Sequence, residues 1–347
     1  MKRHLLFLAA LLIVNLAASA QKKFSVYAVG FYNQENLFDT CHDEGKKDYE
    51  YLPNKGWNGM KYTNKLRNMS KALADMGTDV LPNVGCAFIG LSEVENHKVL
   101  DALVDQEPLK ARNMKYVHIE GPDRRGIDCA LLYNPSLFSV KNVKLSPYVQ
   151  ELAKDSAFFT RGFLTVRGEM AGDDVAVIVC HWPSRFSGPF YRESAARQVK
   201  VIKDSLLNVN QEMKIFVMGD MNDDPVNKSM HVYLQAKPEI SQVGAGDMYN
   251  PWYNVLAKEG KGTLFYSGNW NLFDQIVITP NLLNKDAKKK DYSSLKYWKS
   301  HIFRRDYLIQ QEGQYKGAPL RTTAGGRWLN GYSDHLPVVM YLVKEKK

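Results

Sequence analysis

The feature that most constrains this chain is a pattern that recurs along it: a short apolar run breaks off abruptly into a carboxylate, an amide or a histidine. Lys214 to Pro225, KIFVMGDMNDDP, shows it most plainly. Ile215 to Met218 reads as a strand buried on both faces, and Gly219, Asp220, Met221 and Asn222 come next without transition. Gly219 has no Cβ, which lets the backbone turn or a ligand approach closely. Asp220 and Asn222, two apart, can point at a common centre. Taken alone, the same residues read equally as a turn closed by Pro225. Five other stretches set the same residue types at the end or the start of a strand.

Ser25 to Phe31 reads as a strand running into Asn33, Gln34, Glu35 and Asn36, and Cys86 to Leu91 as one running into Glu93. Val175 to Cys180 ends in His181, with Pro183 fixing the exit and Arg185 four residues on, a grouping suited to an anion. Leu272 to Ile278 carries Asp274 among Phe and Ile, where a charge needs a partner. Asp334 and His335 open the last strand. Between these runs, Thr63 to Met76, with Leu66, Met69, Leu73 and Met76 in helical register, and Ser194 to Leu207, with Ala195, Val199, Ile202 and Leu206, read as covering helices. Val99 to Leu103 reads as a short helix. Tyr116 to Ile119 and Ile127 to Tyr133 read as strands, and Phe158 to Val166 as the hairpin partner of Val175 to Cys180. Asp43 to Lys61 reads as a surface loop.

Met1 to Ala20 has a charged start, a short apolar middle and a small-residue end, the three parts of a secretory signal peptide, so the mature chain is expected outside the cytoplasm without a stable membrane anchor. The chain has 347 residues, and no linker or repeat divides the part after Ala20, so one large domain is expected. Its formal charge of +9 favours polyanions only weakly at this length. Cys86, Cys129 and Cys180 lie in apolar runs and read as free core thiols; Cys41 lies in none. Lys285 to Arg305 is basic and aromatic, the composition of a nucleic-acid groove and equally of a folded insertion with a wet face.

The strand ends together supply Asn33, Glu35, Glu93, His181, Asp220, Asn222, Asp274, Asp334 and His335. Oxygen donors without thiolates favour a hard ion, Mg2+ or Mn2+ with Ca2+ also admitted, over zinc. Two histidines beside such an ion suit phosphoester cleavage. No nucleophilic-serine or phosphate-loop motif competes.

In this order the motifs resemble those of the endonuclease/exonuclease/phosphatase superfamily, the group that contains DNase I, AP endonucleases, inositol polyphosphate 5-phosphatases and neutral sphingomyelinases. The likeness runs from Asn33 to Val339, and Gly219-Asp220-Met221-Asn222 with Ser333-Asp334-His335 is its specific part. It implies an α/β fold, a four-layer α/β/β/α sandwich in a single domain. It also implies Glu93 as the main metal carboxylate, helped by Glu35 and Asp334, with Asn33 and Asn222 positioning phosphate and nucleophile. Asp220 would orient or deprotonate water, His335 held by Asp274 would contact the phosphoryl oxygens, and His181 would serve the leaving group. Arg185 joins Asn33 as a candidate substrate contact. Two departures bear on substrate: Asn-Gln-Glu-Asn replaces an Asn-x-Asp first strand end, and Leu-Phe-Asp-Gln replaces the Trp-Cys-Asp-Arg of the 5-phosphatases. The expected function is an exported, metal-dependent nuclease. Phospholipid-headgroup or small-phosphate hydrolysis, and a silent polyanion-binding module, are the other readings.

Overall fold

The computed structural model describes residues 23–151, 158–286 and 288–346. The expected signal segment, Met1 to Ala20, lies outside the described residues. Two mixed sheets face each other. The first contains β1 (Phe24–Leu37), β2 (Cys86–Val94), β3 (Lys115–His118), β4 (Asp128–Tyr133), β14 (Lys296–Ile302) and β17 (Val338–Glu345), in the order β14-β17-β1-β2-β4-β3. The second contains β5 (Phe138–Ser146), β6 (Phe163–Met170), β7 (Asp173–His181), β8 (Lys214–Asp220), β9 (Ala236–Lys237), β10 (Met248–Tyr249) and β13 (Asp274–Ile278), in the order β5-β6-β7-β8-β13-β10-β9. Two small hairpins, β11 (Leu264–Tyr266) with β12 (Asn269–Asn271) and β15 (Thr323–Ala324) with β16 (Arg327–Trp328), complete the strands.

Each sheet is built around a long parallel pair, β1 with β2 and β7 with β8, and the two-residue strands β9 and β10 are parallel as well. Parallel neighbours need a crossover, and a helix supplies it for both long pairs. α1 (Gly59–Asp75) comes after β1, with the Asn58 side chain accepting the Lys61 N–H at 3.1 Å as its cap, and packs Leu66, Met69 and Leu73 onto the outer face of the first sheet. α2 (His97–Val104) and α3 (Glu107–Ala111) extend that layer. α4 (Pro189–Val209) covers the second sheet with Ala195, Ala196 and Val199. Between the sheets, Phe88 meets Phe138 and Phe216 at ring distances of 5.1 and 5.5 Å. The expected four-layer sandwich is the observed one.

Local differences have physical reasons. β1 does not stop at Phe31 but continues through its polar end to Leu37, because those residues still pair with β2 across a bulge. The partner of β7 begins at Phe163, not Phe158, and its other neighbour, β5, is not legible in the sequence because an edge strand with one wet face lacks a strong apolar run. The expected surface loop from Asp43 to Lys61 holds two short helical turns and the start of α1. The three core cysteines are buried and free, and Cys41 is exposed and free. The basic-aromatic segment becomes the edge strand β14. Lys288, Lys289 and Lys290 are exposed near Tyr292, whose carbonyl accepts from Glu345 at the far end of β17, away from His335. Among the described residues no helix is long and apolar enough to cross a membrane.

Candidate active site

The site forms where the C-terminal ends of the two long parallel pairs meet. In the second sheet, strand register sets His181 and Asp274 directly beside Asp220 on its two sides. Gly219 is needed here for close packing: a Cβ would lie 2.2 Å from the Cys180 carbonyl oxygen of the neighbouring strand. The sequence-based choice between a turn and a ligand approach is therefore replaced by strand packing. In the first sheet, the ladder shifts between Asn33 and Leu37 and again between Ser92 and Val94. Glu35, Asn36, Glu93 and, across the cleft, Asn222 take left-handed backbone angles, with φ of 45°, 56°, 59° and 48°. Such angles in residues with a Cβ store strain of ~1–3 kcal/mol each and gather at functional sites. Here they re-aim side chains that a regular strand would send to alternate faces.

Asn33 crosses between the sheets and donates its amide to Asp220 Oδ2 at 2.9 Å, while Asp220 Oδ1 accepts the Asn222 N–H at 2.9 Å. The Asn222 amide is anchored on the Trp182 carbonyl at 2.9 Å. Glu93 Oε2 accepts the Asn36 N–H at 2.9 Å, leaving Oε1 3.7 Å from His181 Nε2, which is itself 3.7 Å from Asp220 Oδ2. His335 donates Nδ1–H to Asp274 Oδ2 at 2.7 Å, and its Nε2 lies 3.9 Å from both Asp220 Oδ2 and Asp334 Oδ1. Ser333 Oγ accepts the His335 N–H and donates to the Asn33 carbonyl at 2.8 Å, tying the last loop to β1.

Electrostatics separate the two histidines. Burial opposes protonation of His335, but Asp274 and Asp220 outweigh it and raise its pKa well above the ordinary value. His181 is driven the other way, by burial and then by Arg161 and Arg125, and stays neutral. Burial raises Asp220, with His335 pulling against it.

Two sequence-derived candidates are not brought to this cluster. Glu35 is turned by its left-handed backbone toward the last loop, where its carboxylate accepts the Thr322 N–H at 2.6 Å and lies 3.3 Å from Arg321. Arg185 does not line the pocket. Its guanidinium is engaged by Asp224 at 2.7 Å, Asn271 at 3.0 Å and Asn227 at 3.1 Å, and sits 4.4 Å from the Phe273 ring. Asp334 stands at the rim, paired with Arg321 at 2.8 Å.

The pocket, about 280 Å³, is lined by Glu93, His181, Asp220, Asn222 and His335 together with Arg125, Arg161 and their shared partner Asp123. Of the roomier clefts, one of about 520 Å³ beside Trp270 and Arg304 holds none of the strand-end acids, and one of about 600 Å³ beside Arg321 holds Asp334 alone of them. Sequence reasoning misses Arg161, although it stands among apolar residues as Asp274 does. It is buried, pairs with Asp123 at 3.2 Å and donates to the Trp182 carbonyl at 2.8 Å. It misses Lys65 as well. Fully buried on α1, Lys65 donates to Thr322 Oγ1 and to the Tyr332 carbonyl, holding the loop that ends in His335.

Burial, partly offset by Glu35, brings the Lys65 pKa down to about 8. The unfolded chain keeps that proton up to about 10.4, so in this window the unfolded state binds more protons and stability rises with pH. Relative to Lys65→Met, the wild type is expected to gain ~3 kcal/mol between pH 8 and pH 10.5, read from urea unfolding at each pH. A parallel pH dependence in both proteins would contradict it.

The residues present fit a hard divalent ion. The free oxygen of Glu93, His181 and a carboxylate oxygen of Asp220 lie within 4.8 Å of one another, as do ligand atoms of Asp220, Asp274 and His335. Buried Asp274 Oδ1 and His181 Nδ1 have no hydrogen-bond partner. The carboxylates of Glu93, Asp123, Asp220 and Asp274 still outnumber the three cationic groups beside them, the His335 imidazolium and the Arg125 and Arg161 guanidinium groups, and a cation bound by one or two carboxylates and completed by water would balance the excess.

Comparison with known proteins agrees with this geometry. Residues 28–344 match the model of the Endonuclease/Exonuclease/phosphatase family. Similar solved structures include an endonuclease/exonuclease/phosphatase family protein from Bacteroides thetaiotaomicron, with 14% identity and a TM-score of 0.55 over 93% of this chain and 97% of that one. A mannosyl-6-phosphatase from the same organism has 14% identity and a TM-score of 0.55 over 91% and 99%. D. rerio TDP2, solved with a single-strand DNA product, has 11% identity and a TM-score of 0.53 over 92% and 99%. No curated protein sequence matches. With the family model spanning nearly all of the described chain and the strand-end acids and histidines gathered in one pocket, the chain belongs to the endonuclease/exonuclease/phosphatase family and is a phosphoester hydrolase.

Proposed function

We propose that the protein is an exported phosphodiesterase that hydrolyses nucleic acid with Mg2+ or Mn2+. One observation carries the reading: a single pocket is lined both by the carboxylates of Glu93 and Asp220, the latter held by Asn33, and by the guanidinium groups of Arg125 and Arg161, which share Asp123 as partner. The carboxylates suit a cation held by Glu93 with help from Asp220, and the guanidinium groups suit an anionic ester. When bound, such a cation supplies charge neutralisation at the phosphoryl group.

The chain's own residues supply the rest. Asp220, fixed by Asn33 and Asn222, accepts a hydrogen from the attacking water, and its burial makes the carboxylate a better base. His335, kept protonated by Asp274, donates Nε2–H to a phosphoryl oxygen. His181 is neutral and stands 3.7 Å from both Glu93 and Asp220, beyond direct hydrogen-bond reach, so it is a polar neighbour of the two acids and not a ready proton donor to the leaving group. TDP2 and a mannosyl-6-phosphatase share this fold, so the fold does not choose the substrate. The modest pocket volume favours a second reading, a small phosphate ester or headgroup.

A panel on the chain lacking Met1 to Ala20 decides between them, with plasmid DNA, RNA, a small phosphodiester, a phosphomonoester and sphingomyelin vesicles, each with Mg2+, Mn2+, Ca2+ or EDTA. Cleavage of DNA or RNA that EDTA abolishes is the expected result. Intact nucleic acid with turnover of a lipid or small ester would replace the substrate, and silence throughout would leave a polyanion-binding module. Mass spectrometry of the protein recovered outside the cytoplasm should find Gln21 as its first residue.

A further inference from the structure

The segment that leaves His181 presents one side chain that the fold does not use. Phe186, in the helical turn Arg185–Ser187, is 100% exposed. Isolated surface hydrophobes are common, but this one is held with unusual care. The turn is closed by Ser187 N–H to the Ser184 carbonyl at 3.0 Å and Gly188 N–H to the Arg185 carbonyl at 3.2 Å, with Gly188 at φ +84°, an angle that favours glycine. From one side Arg185 pins it to Asp224, Asn227 and Asn271. From the other, buried Arg192, paired with Asp223 at 2.8 Å, donates to the carbonyls of Ser184 at 2.9 Å and Gly188 at 3.1 Å.

Pro183, Ser184 and Ser187, of the same segment as Phe186, line the reaction pocket. The same pocket is lined by Phe159, which is 52% exposed and has the Arg124 guanidinium 5.4 Å from its ring centroid. Arg125, half exposed, lines it too. Exposed aromatics interleaved with guanidinium groups are the chemistry that receives unpaired bases and the backbone between them.

We propose that Phe186 is a stacking platform for a base next to the scissile phosphodiester, and that the preferred substrate is therefore single-stranded nucleic acid. The proposal rests on the nuclease reading above. In a duplex the base faces are covered by their neighbours, so a ring carried on a held turn can stack only on a base already unpaired or extruded.

The test uses a single-stranded oligonucleotide carrying 2-aminopurine, with Mg2+, bound to a His335→Gln background that prevents turnover. Binding is expected to quench the fluorophore. Phe186→Ala should remove the quench and raise Kd about tenfold, and Phe186→Trp should restore both. Unchanged quench and Kd in Phe186→Ala would overturn the stacking role while leaving the nuclease reading intact. Equal affinity for the duplex would overturn the single-strand preference. Absence of binding in every variant, with no nucleic-acid cleavage by the wild type, would remove the nuclease reading and this proposal with it. Loss of association with sphingomyelin vesicles in Phe186→Ala, with oligonucleotide binding unaffected, would reassign the ring to lipid.

Discussion

Replacing His335 by Gln is expected to lower kcat about 10³-fold while moving the unfolding midpoint little. Gln is the informative substitution because Asp274 is wholly buried and accepts from His335 Nδ1 at 2.7 Å. Ala would leave that carboxylate unpaired and mix a folding penalty of ~3–5 kcal/mol into the activity loss, whereas Gln keeps an N–H donor on the same carboxylate. The pH profile gives a second readout. Burial lowers the His335 pKa, but Asp274 and Asp220 raise it by more, so the imidazolium persists above the ordinary histidine range. Activity that needs the protonated ring is therefore retained through neutral pH and lost on the alkaline side. Asp274→Asn removes the larger of the two raising charges, so the alkaline limb should move to lower pH. A His335→Gln enzyme within tenfold of the wild type, or an unmoved limb in Asp274→Asn, would show that the charged ring does not carry turnover.

The second large effect is on stability. Gly219→Ala is expected to cost about 3 kcal/mol or more, because the new methyl group would meet the Cys180 carbonyl oxygen at 2.2 Å and Cys180 Cβ at 2.8 Å. Backbone cannot swing aside as a side chain can, so β7 and β8 must separate. That separation also moves His181 away from Asp220, which face each other across the same ladder, and activity should fall with stability. Gly246→Ala, where the added carbon meets nothing within 4 Å, is the control and should stay within about 0.5 kcal/mol of the wild type in urea unfolding. Equal midpoints for the two variants would show that the strands can absorb the methyl group.

The strand ends can be read from the sequence because each doubly buried strand is a continuous apolar run, and the first polar residue after it is conspicuous. That logic locates Asn33, Glu93, His181 and Asp220, while Asp274, which opens β13, shows as a lone charge among Phe and Ile, and the fold brings all five together. The logic cannot register the left-handed backbone at Glu35 and Glu93. From sequence both acids are metal ligands, Glu93 the main one and Glu35 its helper, yet one faces His181 and the other faces Thr322 and Arg321. Arg161 escapes the same logic because it lies just before β6 and not at a strand's far end, so no apolar run announces it. Lys65 is hidden for a related reason: a lysine on an amphipathic helix is ordinarily taken for its wet face, and only the tertiary structure shows it buried against Thr322. The covering helices are legible but start earlier than expected, since their first turns, Gly59 onward and Pro189 onward, carry little apolar periodicity.

The site's division between the two sheets has a consequence for how the molecule comes apart. Glu93 and Asn33 belong to one half of the sandwich, and His181, Asp220 and Asp274 to the other. An ion coordinated from both halves acts as a clamp across the central apolar layer, so its binding free energy opposes separation of the sheets and is absent once they part. At a concentration a hundredfold above its Kd, such a ligand adds ~2.7 kcal/mol to the global unfolding free energy. Hydrogen exchange in the presence and absence of ion should then slow in the central strands of both sheets together, while the edge strands β3 and β5, which carry no site residue and open by local fraying, exchange as before.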